Sequence, residues 1–417
     1  MSMSVSSIVV FFLQGFIFLY PARLFLFKTL HIYVAACAAF LSLCLFVARR
    51  PLVVKKSFIL AGGIYLVPLF SVFATSYPEE TRVALLASSV NIGLAYMASY
   101  KLDREVLLRA IALVALSFSI MLFVSSFFVV AVFGSLRPEG SQMAGVVGSF
   151  SNHASAIALL SLPYLFWARK YGLISKMIGN LAIVASVIVA VLSLSRAAFV
   201  ILFMIVILTP FVLSRGAGSG ILKAALICFS VLFLNLVSYL VWGENSLIAQ
   251  LVTRFQESQV LSGGVIQPSK DLYDYARAAM YFEGYKMTLD YWPLGSGIGG
   301  LSAYMEERLG FGLVSHNILI TAAGELGIVG AVSYPLIFLG ISLRLWALRR
   351  CKMEILSDLG KISFVFLFSF LVYSLVRPFD GVYIFPILMG LVLQIPGEKC
   401  QKRGPVRRLS HGVGEGV

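Results

Sequence analysis

Long runs of uncharged, apolar residues constrain this chain more than any other feature of its sequence. Residues 110–133 and 224–242 contain no Asp, Glu, Lys or Arg, and such runs approach or exceed the roughly 20 residues that a helix needs to cross a bilayer. Only 12% of the residues are charged and 59% are hydrophobic, whereas soluble domains carry about 25% charged residues. A soluble fold of this size could not bury so much apolar surface, so the sequence predicts an integral membrane protein.

The order of the apolar runs predicts an all-α, polytopic membrane protein with about twelve transmembrane helices and one long loop containing short helices. The predicted spans are residues 4–20, 25–47, 57–74, 83–99, 106–133, 152–167, 177–194, 197–213, 221–242, 316–343, 360–376 and 381–395. Residues 1–242 then hold spans one to nine, 243–315 form the loop, 316–395 hold spans ten to twelve, and 396–417 form a basic tail.

The distribution of basic residues predicts the orientation of these spans. Short loops that face the cytoplasm are enriched in Lys and Arg. With the N-terminus inside, 22 of the 33 Lys and Arg residues lie in the inward segments and the tail, which leaves 11 for the outer side. The sequence therefore predicts that both termini are cytoplasmic and that the loop 243–315 lies on the opposite side.

Residues 177–213 are open to two interpretations. They could form one long helix with a single arginine, or two spans that turn at Ser195 and Arg196. Basic residues flank the stretch at Lys176 and at Arg215, and both flanks resemble cytoplasmic segments. Only a hairpin brings both flanks to one side of the membrane, so two spans are predicted.

The loop is predicted to pack on the membrane surface. Residues 271–290 have helical character, because Tyr273, Arg277 and Tyr281 recur every four residues and Asp271 can cap the helix. The glycine-rich run 293–300 predicts a break before the tenth span. Amphipathic rings of the kind that favour the headgroup level of a bilayer are frequent here; they are Tyr275, Phe282, Tyr285, Tyr291 and Trp292.

Charge and ligand-type residues argue against several functions. The net charge of +14 is spread over short loops and the tail, which is typical of a membrane protein rather than of a nucleic-acid-binding one. The four histidines form no cluster with cysteine, so neither a metal nor a cofactor is expected. None of the five cysteines falls in a predicted outer segment, so no disulfide framework is expected.

A set of arginines is predicted on the outer side, against the general charge bias. A guanidinium matches phosphate oxygens bidentately, so these residues are candidates for binding a diphosphate. In the alternative interpretation they are structural and pair with Asp274, Glu283 or Asp380, or with lipid phosphates. The five are Arg137, Arg196, Arg254, Arg277 and Arg377.

His316 and Asn317 begin the predicted tenth span. A helix N-terminus disfavours additional positive charge, which would help to keep the imidazole neutral and able to accept a proton. The alternative is that His316 only caps the helix. Glycines at 324, 327 and 330 are predicted to let neighbouring helices approach closely. Glu325, on the opposite face of a continuous helix, is predicted to be structural.

Several motifs between roughly residues 145 and 345 resemble those of the O-antigen ligase and polymerase superfamily. His316-Asn317, nine residues, and then Gly327-Ile-Val-Gly330 is the ligase pattern, and Ser195-Arg196-Ala197 resembles the family's Ser-Arg-Gly/Ala element. Gly148-Ser-Phe-Ser-Asn152 resembles its Gly-x-Phe-x-Asn element, although His153 replaces a proline that many relatives have. The remaining matches are Arg254-Phe255, Asp274-Tyr-Ala-Arg277 and Trp292-Pro-Leu-Gly-Ser-Gly297.

The resemblance implies an O-antigen ligase of the bacterial inner membrane, which acts in lipopolysaccharide assembly. Such an enzyme moves a glycan from undecaprenyl diphosphate to lipid A–core on the periplasmic face, with inversion and without a metal. The implied catalytic residues are His316, Arg196 and Arg277. The implied contacts to the diphosphate or glycan are Arg137, Arg254, Arg377, Asn152 and Asn317.

Three other functions stay open at the level of sequence. An O-antigen polymerase shares the superfamily, the donor and several motifs, but extends the glycan. A protein-directed oligosaccharyltransferase of the superfamily tends to have longer soluble extensions. A transporter of lipid-linked glycans should place polar residues through the middle of the membrane, whereas the unusual residues here concentrate at one face.

Overall fold

The computed structural model describes Gln14 and residues 55–73, 75–133, 144–193, 195–214, 272–310, 317–375 and 384–395. All regular structure in these ranges is helical, in agreement with the predicted all-α class. The predicted spans 4–20, 25–47 and 221–242 and the tail 396–417 lie outside the described residues, apart from Gln14.

The described helices follow the predicted order. The helices are α1 (Lys56–Leu66), α2 (Pro78–Ala98), α3 (Arg104–Phe133), α4 (Ala144–Lys170), α5 (Lys176–Leu192), α6 (Arg196–Leu213), α7 (Leu272–Asp290), α8 (Gly300–Leu309), α9 (Ile318–Ile320), α10 (Gly327–Arg349), α11 (Glu354–Ser374) and α12 (Ile384–Val392). A 3-10 turn, Val67–Val72, extends α1, and a π-helical segment, Thr321–Glu325, follows α9. Helix α7 matches the helix predicted over 271–290.

Three helices in the described part of the chain are long and apolar enough to cross a membrane. They are Arg104–Ala131, Gly327–Arg349 and Glu354–Ser374. Shorter apolar stretches occur at Lys56–Ser71, Lys176–Ala190 and Ala197–Leu213. These helices fit a membrane protein, while the total of twelve spans and the side of the membrane that each end faces stay predictions.

The stretch 177–213 forms two helices rather than one. Helix α5 ends at Leu192 and α6 begins after Ser195, whose side chain accepts a hydrogen bond from Ala198 N. At the far end of α6, Leu213 O accepts a hydrogen bond from Lys170 Nζ at 3.3 Å, and Lys170 lies shortly before the start of α5 at Lys176. The chain therefore returns to its starting end, and the predicted hairpin is confirmed.

Described parts of several segments that were predicted to face inward contact one another near this same end. Lys170 binds Asp358 near the start of α11, and Ser357 Oγ donates to Arg349 O at the end of α10 at 2.7 Å. Leu102 N donates to Gln394 Oε1 at 3.1 Å. The basic ends of the helices thus share one end of the bundle, as the charge pattern requires.

Helix α12 lies in the core rather than at the surface. All nine of its residues are buried, and Phe385 stacks on Phe370 of α11 with ring centroids 4.1 Å apart. It packs against α1, α2 and α3. Nine residues rise only about 14 Å, so α12 alone is shorter than the predicted span 381–395.

The predicted tenth span is not one continuous helix. The chain passes from α9 through the π-helical segment to a break at Leu326, and α10 begins at Gly327 with φ +62°. The prediction of an uninterrupted span over 316–343 is therefore wrong. The ideal helical geometry used to relate Glu325 to residue 316 does not apply here, because the winding changes between 321 and 327; residue 316 itself lies outside the described residues.

Cys351 is disulfide-bonded, a bond that the expectation of no disulfide framework did not include. That expectation considered only the redox compartment. A disulfide also depends on how close the fold brings two thiols, which the spacing of cysteines in the sequence does not reveal.

Candidate functional site

Three helices of the bundle share an anchor at its basic end. Lys170, the last residue of α4, donates to Asp358 Oδ2 of α11 at 2.5 Å and to Leu213 O of α6 at 3.3 Å. The three helices also pack against one another. The distance of any residue along α4, α6 or α11 can therefore be measured from the contacts of Lys170.

Similar distances from this anchor bring three sequence positions to one level. Asn152 on α4, Arg196 at the start of α6 and Leu375 just after α11 are almost equally far along their helices from the anchor. At the helical rise per residue, the three separations are about 26–27 Å, close to the roughly 30 Å of a bilayer's hydrocarbon core. The backbones of Asn152 and Arg196 therefore lie at the opposite end of the bundle, which we call the outer end because the charge pattern predicts that it faces away from the cytoplasm.

Helix α7 lies across this outer end. Tyr281 Oη donates to Leu375 O, just after α11, at 3.2 Å. Beyond the other end of α7, Pro293 O accepts from Ile328 N, near the start of α10, at 2.9 Å. Because both contacts lie at outer ends of long apolar helices, α7 runs along the end of the bundle. Arg277 precedes Tyr281 by one helical turn, about 6 Å.

The glycine-rich run after α7 binds directly to the break in the tenth span. Ser296 N donates to Gly324 O at 3.1 Å, and Gly297 N donates to Glu325 O at 2.9 Å. Ser296 O accepts from Ser76 N at 3.0 Å on the other side. The run is therefore held between the segment that follows α1 and the segment that precedes α10. We call this arrangement, residues 293–297 with 324–328, the loop–break junction.

The junction explains why glycines occur in both motifs. A Cβ on Gly295, where φ is +85°, would lie 2.5 Å from Glu325 O and 2.6 Å from Gly327 N. A Cβ on Gly327 would overlap Pro293 O, and one on Gly324 would lie 2.6 Å from Met287 Cε. The predicted close approach of a neighbouring helix thus holds at Gly324, where the neighbour is α7. At Gly327 the close neighbour is a loop, and a Cβ on Gly330 would meet Ala322 O of the preceding turn.

Glu325 has a structural role in the same region. Its side chain is 4% exposed, and Oε1 accepts from Leu301 N at 3.3 Å in the first turn of α8. A carboxylate at a helix N-terminus satisfies backbone donors that have no partner within the helix. Glu325 therefore joins α8 to the break, in agreement with the structural role predicted for it.

Asn317 caps α9. Its Oδ1 accepts from Leu319 N at 2.8 Å and from Ile320 N at 3.4 Å. The capping position considered for His316 is therefore occupied by its neighbour in sequence. The predicted contact between Asn317 and the glycan stays a prediction.

A network of charged residues joins α7 to α8. Glu283 is 6% exposed and binds Lys286 Nζ at 3.1 Å, with Arg308 at 3.9 Å. Arg308 also binds Asp290 at 3.1 Å. The structure thus gives Glu283 two cationic partners outside the set of predicted arginines. The Lys286 pair lies within α7, whereas the two pairs of Arg308 link α8 to α7.

Two tyrosines donate hydrogen bonds to carboxylates of α7 and α8. Tyr77 Oη donates to Glu307 Oε2 at 3.0 Å, and Tyr304 Oη donates to Asp290 Oδ2 at 2.6 Å. Burial, reinforced by these bonds to carboxylates, raises the pKa of both phenols above the ordinary range. Both therefore stay protonated at neutral pH and act as hydrogen-bond donors rather than as bases.

The predicted site residues divide into three groups. Asn152, Arg196 and Arg277 lie on described helices at the outer end, although their side chains lie outside the described part of the structure. Asn317 is described completely. The others lie outside the described residues: His316, Arg137, Arg254 and Arg377.

Sequence reasoning missed the contact between the two glycine motifs and the contribution of the segment that follows α1. Ile298 N donates to Ser71 Oγ at 3.2 Å, and Thr75 Oγ1 lies 2.7 Å from Thr81 Oγ1 beside Gly297. These serines and threonines are far from the loop in the sequence. The glycines alone could have suggested close backbone contacts, but not their partners.

Among the described residues, no group of three or more His, Cys, Asp or Glu side chains is arranged to hold a metal ion. Comparison of the sequence with protein-family models and with curated proteins gives no match. The family resemblance drawn from the motifs therefore stays a hypothesis.

Proposed function

We propose that the chain is an inverting, metal-independent glycosyltransferase of the O-antigen ligase type. In this proposal it is a twelve-span protein of the bacterial inner membrane, with both termini in the cytoplasm and the loop 243–315 in the periplasm. It transfers a glycan from undecaprenyl diphosphate to lipid A–core. The three apolar spans and the separation of the basic end from the loop end support this membrane placement.

One observation carries the proposal. The motif positions Asn152 and Arg196 lie at the level of Leu375 along the bundle, and Tyr281 of the helix that carries Arg277 contacts Leu375 O. A diphosphate at the outer surface of a membrane needs convergent cationic groups at this level. A ligand that binds in the middle of the bundle would not require cationic residues at the outer end.

In the proposed reaction, Arg196 and Arg277 bind the diphosphate and stabilise the negative charge that develops on it. The acceptor hydroxyl attacks the anomeric carbon from the opposite side as the bond to the diphosphate oxygen breaks. His316 takes the hydroxyl proton. The products are the glycosylated acceptor with inverted configuration and undecaprenyl diphosphate.

Reconstitution of the purified chain into liposomes tests this assignment. With donor and lipid A–core together, the glycan should appear on the core. Elongation of donor glycan without acceptor would instead identify a polymerase. Movement of intact donor across the bilayer without transfer would identify a transporter. The Arg277→Ala protein is the matched negative control.

A further inference from the structure

Helix α7 has two opposite faces of different character. Met280, Glu283, Gly284 and Met287 are buried against the rest of the protein. On an ideal helix they occupy an arc of about 100°. The opposite arc of similar width is exposed and apolar, and its side chains are 40–62% accessible; they are Tyr281, Phe282, Tyr285 and Leu289.

The exposed apolar surface continues into the turn after α7. Trp292 is 52% exposed and Leu294 is 69% exposed. Together with the four side chains of α7 they form one surface, which we call the α7 face. An apolar face of this composition is a binding surface on a soluble protein and a lipid contact on a membrane protein.

The position of the α7 face favours lipid as its partner. Tyr281 contacts the outer end of α11, and Pro293 contacts α10 near its start, so the helix is tied to the ends of two long apolar helices. From there the exposed surface continues along α10 as a stripe of large apolar side chains, Ile328, Val332, Leu336, Leu339 and Leu343. Only 22% of the most apolar window of α10 is buried within the protein. Because the α7 face is continuous with this stripe, which faces lipid in a membrane-spanning helix, we expect the α7 face to contact lipid as well.

The exposed side chains of the neighbouring helix, α8, are charged, which distinguishes the side of α7 and α8 that faces water from the side that faces lipid. The exposed side chains of α8 include Glu306, Glu307 and Arg308, which favour water. On α7, Lys286 lies at the edge of the apolar face with Nζ 4.2 Å from the centre of the Phe282 ring. The ammonium thus makes a cation–π contact with Phe282 while it pairs with the buried Glu283 at 3.1 Å.

We propose that the α7 face is embedded in the headgroup layer of the outer leaflet, with α7 parallel to the membrane plane and α8 turned towards water. This interaction rests on the membrane placement proposed above and is independent of glycosyl transfer. Burial of Trp, Tyr, Phe and Leu at the boundary between headgroups and acyl chains is the usual energetic basis of such helices.

Quenching of site-specific fluorophores tests the proposal. Leu289→Cys and, as the matched control, Glu306→Cys are labelled separately in the full-length chain in phosphatidylethanolamine–phosphatidylglycerol nanodiscs, and the signal of the labelled parent chain is subtracted. A lipid with a nitroxide near its headgroup should quench the label at 289 about twofold or more relative to the label at 306. Aqueous iodide should show the reverse preference.

Two results would overturn the proposal. Equal quenching of both labels by iodide would show that α7 stands in water. Protection of the label at 289 from both quenchers would show that protein, such as a second copy of the chain, covers it. Phe282→Ser combined with Tyr285→Ser should reduce lipid quenching at 289, and because both side chains are exposed this variant should keep its fold. Since neither measurement requires a sugar donor, failure of the glycosyltransferase assignment would leave these outcomes unchanged.

Discussion

Substitution of Gly295 by alanine tests the loop–break junction most directly. At φ +85° an L-residue is strained by about 1–2 kcal/mol. The added Cβ would also lie 2.5 Å from Glu325 O and 2.6 Å from Gly327 N, and such overpacking typically costs about 1–3 kcal/mol. Because both neighbours are backbone atoms, the strain cannot be relieved by rotation of a side chain. We expect a total loss of about 2–5 kcal/mol in the free energy of unfolding.

Gly310 provides the matched control, because it also has a left-handed φ, +74°, but a Cβ there would meet nothing within 4 Å. Gly310→Ala should therefore lose only the backbone contribution, about 1–2 kcal/mol. Thermal denaturation of both variants in detergent, followed by the amount of monodisperse protein that remains, should give a Tm for Gly295→Ala lower by several degrees. If both variants lose the same stability, the loop is not packed against the broken span as described.

Four further predictions concern orientation, capping and chemistry. A maleimide that does not cross the membrane should label Ser269→Cys but not Ser410→Cys in cells with a permeabilised outer membrane and an intact inner membrane, and labelling of Ser410→Cys would refute the topology. Asn317→Ala should lose about 0.5–2 kcal/mol of stability, whereas Asn317→Asp, which keeps the capping oxygen, should melt close to the parent protein. Arg277→Lys should be nearly as inactive in glycan transfer as Arg277→Ala, because lysine lacks the planar fork of guanidinium; full activity of the lysine variant would make Arg277 a general electrostatic residue. His316→Ala should reduce transfer about 10²–10⁴-fold with donor binding kept, and EDTA should leave the parent enzyme active; loss of activity in EDTA and its recovery with Mg²⁺ would contradict this mechanism.

Local patterns were sufficient to predict most of the described helices. Helix α7 closely matches the prediction over 271–290, and the turn at Ser195 was identified from the basic residues on either side of its hairpin. These features depend on interactions between residues close in sequence, or on the side of the membrane that a loop prefers. Asn152 and Arg196 lie at the same distance along the bundle because α4 and α6 have similar lengths from these residues to Lys170 and Leu213, which are in contact.

The break in the tenth span could not be predicted in this way. Residues 316–343 have the hydropathy of a continuous span, and their glycines are compatible with helix–helix packing. The observed winding depends on Ser296 and Gly297, which belong to the preceding loop and bind carbonyl groups of the break. A single sequence contains no signal that pairs these two segments. The complete burial of α12 is a similar case, because it depends on contacts with α1, α2 and α3.

The chemistry of the junction has a consequence for how the candidate site is positioned. Irregular backbone beside a membrane must satisfy its polar groups within the protein, and here the carbonyls of Gly324 and Glu325 accept from the loop while Ile328 N donates to Pro293 O. Main-chain atoms therefore make the connection between α7 and the tenth span, and glycine is required at Gly295 and Gly327, where a Cβ would overlap the opposite backbone. Since the other end of α7 contacts α11 through Tyr281, the helix that carries Arg277 is held at both sides of the outer end. A shift of the break would move Arg277 relative to Arg196 without any change in either arginine, which makes the glycines of the junction as important for the geometry of the candidate site as the residues that are proposed to bind the diphosphate.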